Sequence, residues 1–147
     1  MAAEFVQQTQ QTSIAPANAI LYTTDNPTGV YDTIGLTPTP YVGPSSTGTQ
    51  FLLPVGTYMI DFENSNDAAW SLSIRTSPVV NGPYNTVDEN TIAGSTTATT
   101  WIHGRAIIVA AAPTWFIISP VTGTQSIPTA GTAAGEFTAR LTVLKIA

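Results

Sequence analysis

The chain contains no cysteine and only one histidine, and charged side chains make up 9% of its 147 residues. Without cysteine there is no disulfide and no thiolate chemistry, and His103 alone does not provide the Cys and His ligands of a structural zinc site. Average globular domains carry about 25% charged residues. A surface this poor in charge is typical of a chain that covers part of itself with a partner, because interface cores are depleted of charge. A monomer with a coat of Thr, Ser, Asn and Gln is the alternative.

The few basic side chains are scattered along a chain of net charge −5. They are Arg75, Arg105, Arg140 and Lys145. Binding to a nucleic-acid backbone needs clustered Lys and Arg. We therefore expect no nucleic-acid partner.

No segment has the pattern of a membrane anchor or a secretory signal. Residues 1–13 lack both the basic and the apolar part of a signal peptide. The longest apolar run, 105–120, is broken by Pro113 and ends at Pro120, well short of the roughly 20 residues that cross a bilayer. We expect no membrane partner, and synthesis and folding in a cytoplasm.

Apolar and polar residues alternate with a period of two over 56–63 and 70–76. This spacing is typical of strands with one buried face. The polar segment between them favours a turn, so the two strands are predicted to form an antiparallel hairpin. The side chains predicted to face inward are Tyr58, Ile60, Phe62, Trp70, Leu72 and Ile74.

Further strands are predicted at 19–24, 49–55, 96–111, 114–121 and 136–147. Pro54 makes 49–55 an edge strand or a strand end. Gly104 in 96–111 predicts a bulge, a bend or two separate strands. The continuous apolar run 114–121 is predicted to be buried on both faces. In 136–147, Phe137, Leu141 and Val143 share one face and are candidates for core or trimer packing. No segment reads as a helix. We expect one all-β domain over 1–147, an antiparallel sandwich or jelly roll.

The pattern contains no recognisable catalytic or cofactor site. His103 could serve in a Ser-His-Asp site, but no G-x-S-x-G motif is present and 101–105 reads as a strand, so a strand face or an interface is the preferred interpretation. Asp61, Glu63 and Asp67 near one turn raise the question of a cation, but their spacing matches no EF-hand loop. We predict no enzyme activity and no cofactor.

Two aromatic residues lie beside Thr and Pro instead of within an apolar strand face. These residues, Trp101 and Trp115, could face a groove and bind a sugar ring. A core or subunit-interface position is the preferred interpretation for both.

Two segments resemble parts of the C1q/TNF-like jelly roll. "LPVGTYMIDFE" resembles the third main strand of that fold, where a Pro-x-Gly-x-Tyr step opens the strand, and "FTARLTVLKIA" resembles its last strand. The resemblance is best over 50–147, and residues 1–18 can form an extended N-terminal arm. The small, Thr-rich, Cys-free version found here is similar to TNF-like domains on phage and virus particles.

The resemblance implies an assembly and a role. In the family the last strand lies in the middle of an inner sheet, beside the first strand, and the inner sheets of three subunits pack around a threefold axis. We therefore expect a homotrimer that decorates or cements a virus capsid, with the major capsid protein as partner and the outer capsid surface as location. The alternative is a recognition module, such as a fibre or spike head, that binds a host sugar or protein through its loops.

Overall fold

The computed structural model describes residues 1–7, 9–22, 24–25, 32–65, 69–95, 101–128 and 138–147. These residues form twelve strands and one short 3-10 helix, Glu89–Thr91. The strands are β1 (Ala2–Gln7), β2 (Gln11–Ile14), β3 (Thr24–Asp25), β4 (Thr39–Val42), β5 (Thr47–Leu53), β6 (Gly56–Ser65), β7 (Trp70–Ser77), β8 (Ala93–Ser95), β9 (Trp101–Ala110), β10 (Thr114–Pro120), β11 (Gln125–Ile127) and β12 (Ala139–Lys145). No helix in these ranges is long and apolar enough to cross a membrane.

The strands form a sandwich of two five-stranded sheets. The front sheet has the order β3-β1-β12-β6-β9 and the back sheet the order β4-β5-β10-β7-β8, while β11 and β2 form a small separate pair. All strand pairs are antiparallel. The predicted fold class, an all-β antiparallel two-sheet sandwich, is confirmed.

The predicted hairpin of 56–63 with 70–76 is wrong. β6 pairs with β12 and β9 in the front sheet, whereas β7 pairs with β10 and β8 in the back sheet. The chain crosses from one sheet to the other between these two strands. Period-two alternation indicates which face of a strand is buried, but it carries no information about which strand lies beside it.

The core lies between the two sheets and is lined by the inward faces of both. Aromatic rings cross it: the ring centroids of Phe5 and Phe51 are 4.8 Å apart, and those of Phe51 and Phe116 are 5.4 Å apart. Eight of the nine candidates for core or trimer packing point into this core and are at most 4% exposed: Tyr58, Ile60, Phe62, Trp70, Leu72, Ile74, Leu141 and Val143. The ninth, Phe137, lies outside the described residues.

β12 lies in the middle of the front sheet. It pairs with β1, where Phe5 is opposite Leu141, and with β6, where Phe62 is opposite the same Leu141. Residues 2–7 are therefore a strand of the sheet, and this corrects the extended arm predicted over 1–18. Pattern reading does not find this strand, because its only large apolar side chains, Phe5 and Val6, are adjacent and do not alternate with polar residues.

Two other strand predictions are corrected by the structure. Of the described residues of 19–24, which leave out residue 23, only Thr24 lies in a strand, β3, although Ile20 NH still donates to the carbonyl of Ile118 at 2.9 Å. β9 runs through Gly104 without a bulge or break, in continuous register with β6. The glycine is needed for space, since a Cβ at this position would lie 2.3 Å from Cζ of Phe62.

Two other predictions fit the structure. β10 is buried on both faces from Phe116 to Pro120. β5 ends just before Pro54, which agrees with a strand end, although β5 lies between β4 and β10 and is not at an edge.

Candidate interaction face on the front sheet

The face of the front sheet that points away from the core is defined here by β6, β9 and β12. Strand register arranges its side chains in rows across the three strands. From one end to the other the rows are Ile146–Thr57–Val109, Leu144–Met59–Ile107, Thr142–Asp61–Arg105, Arg140–Glu63–His103 and Ser65–Trp101. We call this set the front face.

One end of the front face is apolar and open to solvent. Ile107, Val109 and Ile146 are 65%, 71% and 54% exposed, and Leu144 and Met59 between them are half-buried. Because these five side chains lie in adjacent rows, they form one continuous apolar patch, which we call the apolar end. Monomeric proteins rarely leave large contiguous apolar patches exposed, and such patches often mark interaction surfaces.

The two middle rows form a charged band. The Asp61 carboxylate accepts a hydrogen bond from Arg105 Nε at 2.8 Å, and its other oxygen lies 2.6 Å from His103 Nε2. In the next row Glu63 forms an ion pair with Arg140. A shallow depression of about 420 Å³ lies over this band. Two carboxylates thus balance two guanidinium groups, so the band is close to neutral although it is built from charged side chains.

The described side chains that were considered for catalysis or cation binding lie in this charged band. His103 lies on the exposed face of a strand, and the Asp61 carboxylate beside it also binds Arg105. Asp61 and Glu63 are each engaged by basic side chains, and Asp67 lies outside the described residues. Among the residues that the structure describes, no group of three His, Asp or Glu side chains is placed to hold a metal ion.

The two tryptophans considered as groove residues differ in environment. Trp101 is 51% exposed at the end of the front face opposite the apolar end. Trp115 is half-buried on the back sheet, where it packs against a small cluster that contains Tyr41, Tyr84 and Ile117. The cluster is closed to solvent, since burial raises the pKa of the Tyr84 hydroxyl, which donates to Gln50 Oε1 at 2.9 Å. Trp115 thus packs against buried side chains, whereas Trp101 lies on an exposed surface.

The sequence shows Leu144 and Ile146 as apolar residues on the face of the last strand opposite Val143, which fits a surface covered by another subunit, but the contribution of β9 was missed because Ile107 and Val109 lie in the apolar run "RAIIVAAA". A usable signal was present. His103 and Arg105 fix the outward face of β9, and Ile107 and Val109 continue that face at intervals of two residues. Large apolar residues in phase with charged residues on one strand indicate a face that needs a partner.

Comparison with known proteins finds similarity in fold and not in sequence. No family model and no curated protein sequence matches the chain. The globular domain of a zebrafish complement 1qA protein superposes with a TM-score of 0.58 at 12% identity, over 99% of this chain and 97% of that one. Eiger TNF from S. frugiperda superposes with a TM-score of 0.61 at 11% identity, over 100% of this chain and 92% of that one.

The fold is therefore a C1q/TNF-like jelly roll. The two solved structures confirm the resemblance at the level of the fold. The two segments that suggested it, "LPVGTYMIDFE" and "FTARLTVLKIA", supply β6 and β12, which are neighbours in the front sheet. At identities of 11% and 12% these similarities describe the fold alone.

Proposed function

We propose that the chain is a structural domain that works as a homotrimer, and that the front face is its subunit interface. The observation that carries the proposal is the apolar end, where Ile107, Val109 and Ile146 are each more than half exposed on one continuous surface. The balanced charged band beside it supports the same conclusion, because ion pairs that already neutralise each other can approach a second copy without net repulsion. The threefold packing implied by the family resemblance supplies the expected symmetry.

Hydrophobic burial gives this interface its driving force. Removing apolar surface from water is worth about 25 cal/mol per Å². Stable interfaces bury roughly 1,200–2,000 Å² in total, and those of obligate oligomers are more apolar than average. A face built on three adjacent strands, with five apolar side chains at one end, has the composition that such an interface needs.

A matched pair of substitutions tests the choice of face. Ile107→Asp places a charge in the apolar end, whereas Val42→Asp places the same charge on β4 of the back sheet, where Val42 is 77% exposed. We expect Ile107→Asp to shift the solution mass toward the single chain and Val42→Asp to leave it unchanged, as measured by light scattering after size exclusion. Equal behaviour of the two variants would contradict the assignment of the interface to the front face.

We propose further that residues 1–147 act as one domain and that its trimer is a virion component that decorates or cements the outer surface of a capsid. The support is the similarity of this small, Thr-rich, Cys-free sequence to TNF-like domains on phage and virus particles, together with its 9% charged residues. In this role the partners are further copies of the chain and the major capsid protein. The role requires no catalysis, cofactor, nucleic acid or membrane.

Binding to particles tests the decoration role. Purified protein is mixed with capsids that lack it, and the particles are sedimented and assayed for bound chain and for resistance to heat. We expect saturable binding at a stoichiometry divisible by three and particles that rupture at a higher temperature. A protein that stays in the supernatant over the full concentration range would contradict decoration while leaving the trimer proposal intact.

One observation favours the alternative of a recognition module. Trp101 is half exposed at the end of the front face that the apolar end does not reach, and an exposed indole ring can stack on a sugar. In a glycan-array experiment the recognition role predicts binding that Trp101→Ala abolishes. Capsid binding that survives Trp101→Ala, with no glycan bound, favours decoration.

A further inference from the structure

A groove runs along the outer edge of β9, next to the apolar end of the front face. Its volume is about 510 Å³. Ile107 and Val109 form the rim that it shares with the front face, and Ala111 and Ala112 line the side beyond the end of β9. Asp88 is the one charged side chain among the described residues that line it. Thr76 and Thr114 of the back sheet also line it, so the groove is apolar on the side of β9 and partly polar on the side of the back sheet.

The apolar end also presents side chains that can enter such a groove. On β12, Leu144 is half-buried and Ile146 is 54% exposed. Ile146 NH donates to the carbonyl of Thr57 at 2.8 Å, and Thr57 lies opposite Val109 in the register of β6 with β9. Ile146 and Val109 therefore lie at the same height along the strands, on opposite sides of β6.

The proposed trimer and the equal height of the two side chains together indicate the symmetry of the contact. A twofold axis across the strands, at the level of the apolar end, would bring two apolar ends together but would join only two copies. An axis along the strands keeps every row at its own height, so apolar side chains meet apolar side chains. In a ring made by such an axis, each copy uses two different surfaces, and these are the β12 side and the β9 side.

We propose that Ile146 of one copy occupies the groove beside Ile107 and Val109 of the next copy. This contact, repeated around the ring, fixes the position of each copy along the threefold axis relative to its neighbours. The proposal rests on the proposed trimer and adds the identity of its two complementary surfaces. Leu144 packs one row further along, against the Ile107 side of the rim.

The absence of native cysteine allows a direct test by disulfide formation. Within one chain the positions of Ile146 and Val109 are separated by β6, so their backbones are two strand spacings, or about 10 Å, apart. A disulfide needs Cα atoms about 4.4–6.8 Å apart. A bond between cysteines at these two positions must therefore join different copies.

The test variant carries Ile146→Cys and Val109→Cys in the same chain. The control carries Ile146→Cys and His103→Cys, because His103 lies on the same face of the same strand and is similarly exposed, but six residues away along β9. After mild oxidation we expect the test variant to run as covalently linked chains up to three on a non-reducing gel, and the control to run as single chains. Leu144→Cys with Ile107→Cys provides a second pair if the first fails to fold, as judged by circular dichroism and solution mass under reducing conditions.

The outcomes separate this inference from the proposed function. If the unsubstituted protein is a trimer and neither test pair links its chains, the inferred contact is wrong and the trimer stands. Linking of the control in preference to the test pair also overturns the inferred register. If the unsubstituted protein is a monomer, the proposed trimer itself is wrong.

Discussion

The middle of the outward face of the back sheet and the apolar end of the front face are built from similar alternating strands but have opposite environments. On the back sheet, Ser73 and Ser119 are fully buried and Arg75 is 4% exposed. On the front sheet, Ile107 and Val109 are 65% and 71% exposed. The polar residues are covered and the apolar residues are open, which is the reverse of what burial preferences alone favour.

The chain itself covers the back face. Arg75 donates hydrogen bonds to the carbonyls of Tyr84 at 3.1 Å and of Pro120 at 2.9 Å, which ties the segment that follows β7 onto the sheet. Burial lowers the pKa of this guanidinium, and the carbonyl oxygens compensate part of the lost hydration. No equivalent segment among the described residues covers the apolar end of the front face. On the front sheet the outward side chains of β1, Glu4 and Val6, are buried as well, so the comparison concerns the apolar end, which further copies would complete in the proposed trimer.

The largest expected effect comes from removing the centre of the front sheet. Deletion of 141–147 removes Leu141 and Val143, both fully buried, and burial of each is worth about 1.5–3 kcal/mol. It also leaves β1 and β6 without their shared neighbour, which exposes two strand edges. Because whole domains are stable by only about 5–15 kcal/mol, we expect the truncated chain to be insoluble or unfolded. A soluble truncated protein with the original solution mass would contradict the central position of β12.

A smaller and cleaner effect is expected from two leucines on opposite faces of β12. Leu141→Ala should lower the free energy of unfolding by about 2–5 kcal/mol, since Leu141 is fully buried and its removal leaves a cavity. Leu144→Ala should have a much smaller effect on the unfolding of the single chain and should instead weaken association. Urea unfolding at low concentration and light scattering at high concentration distinguish the two. If Leu144→Ala lowers the free energy of unfolding of the single chain as much as Leu141→Ala does, the assignment of Leu144 to the subunit interface is contradicted.

Two arginines extend the comparison to the outer faces of both sheets. Arg75→Ala leaves buried carbonyl groups without their donor, and each such loss costs about 1–3 kcal/mol. Arg105 lies on the front face with its side chain 58% exposed, so Arg105→Ala should change the free energy of unfolding by about 1 kcal/mol or less. Chemical denaturation of both variants measures the difference. An equal loss in the two would mean that the back face is not closed as described.

The smallest effect is expected for His103→Ala. The imidazole is exposed, and Asp61 keeps Arg105 as a partner after its removal. We expect the free energy of unfolding to change by less than about 0.5 kcal/mol, because exposed charge pairs contribute little. Solution mass should not change. If a hydrolytic activity of the wild-type protein disappeared in this variant, the non-catalytic interpretation of His103 would be wrong.

Sequence patterns predicted the inward faces of β6, β7 and β12, because residues such as Tyr58, Leu72 and Val143 recur at the two-residue spacing that one buried face requires. They did not predict which strands are neighbours, since pairing across the sandwich depends on contacts between distant segments. The crossing between β6 and β7 is the clearest case. Burial of Arg75 was also beyond pattern reading, because the segment that covers it is irregular.

The candidate site was predicted in part. The resemblance pointed to the sheet that contains the last strand, and the low charge pointed to a covered surface. Of the apolar end, Leu144 and Ile146 were recognised on the last strand. Ile107 and Val109 were not, because they lie in a run that also contains buried Ile108, and only the register with β6 shows which of them point outward.

The most direct test of the central claim is the mass of the unsubstituted protein in solution, measured by light scattering after size exclusion over a wide range of loading concentrations. If further copies cover the front face, the mass is about three times the 15.4 kDa of the chain and falls only at high dilution. A mass equal to one chain at every concentration would contradict the account.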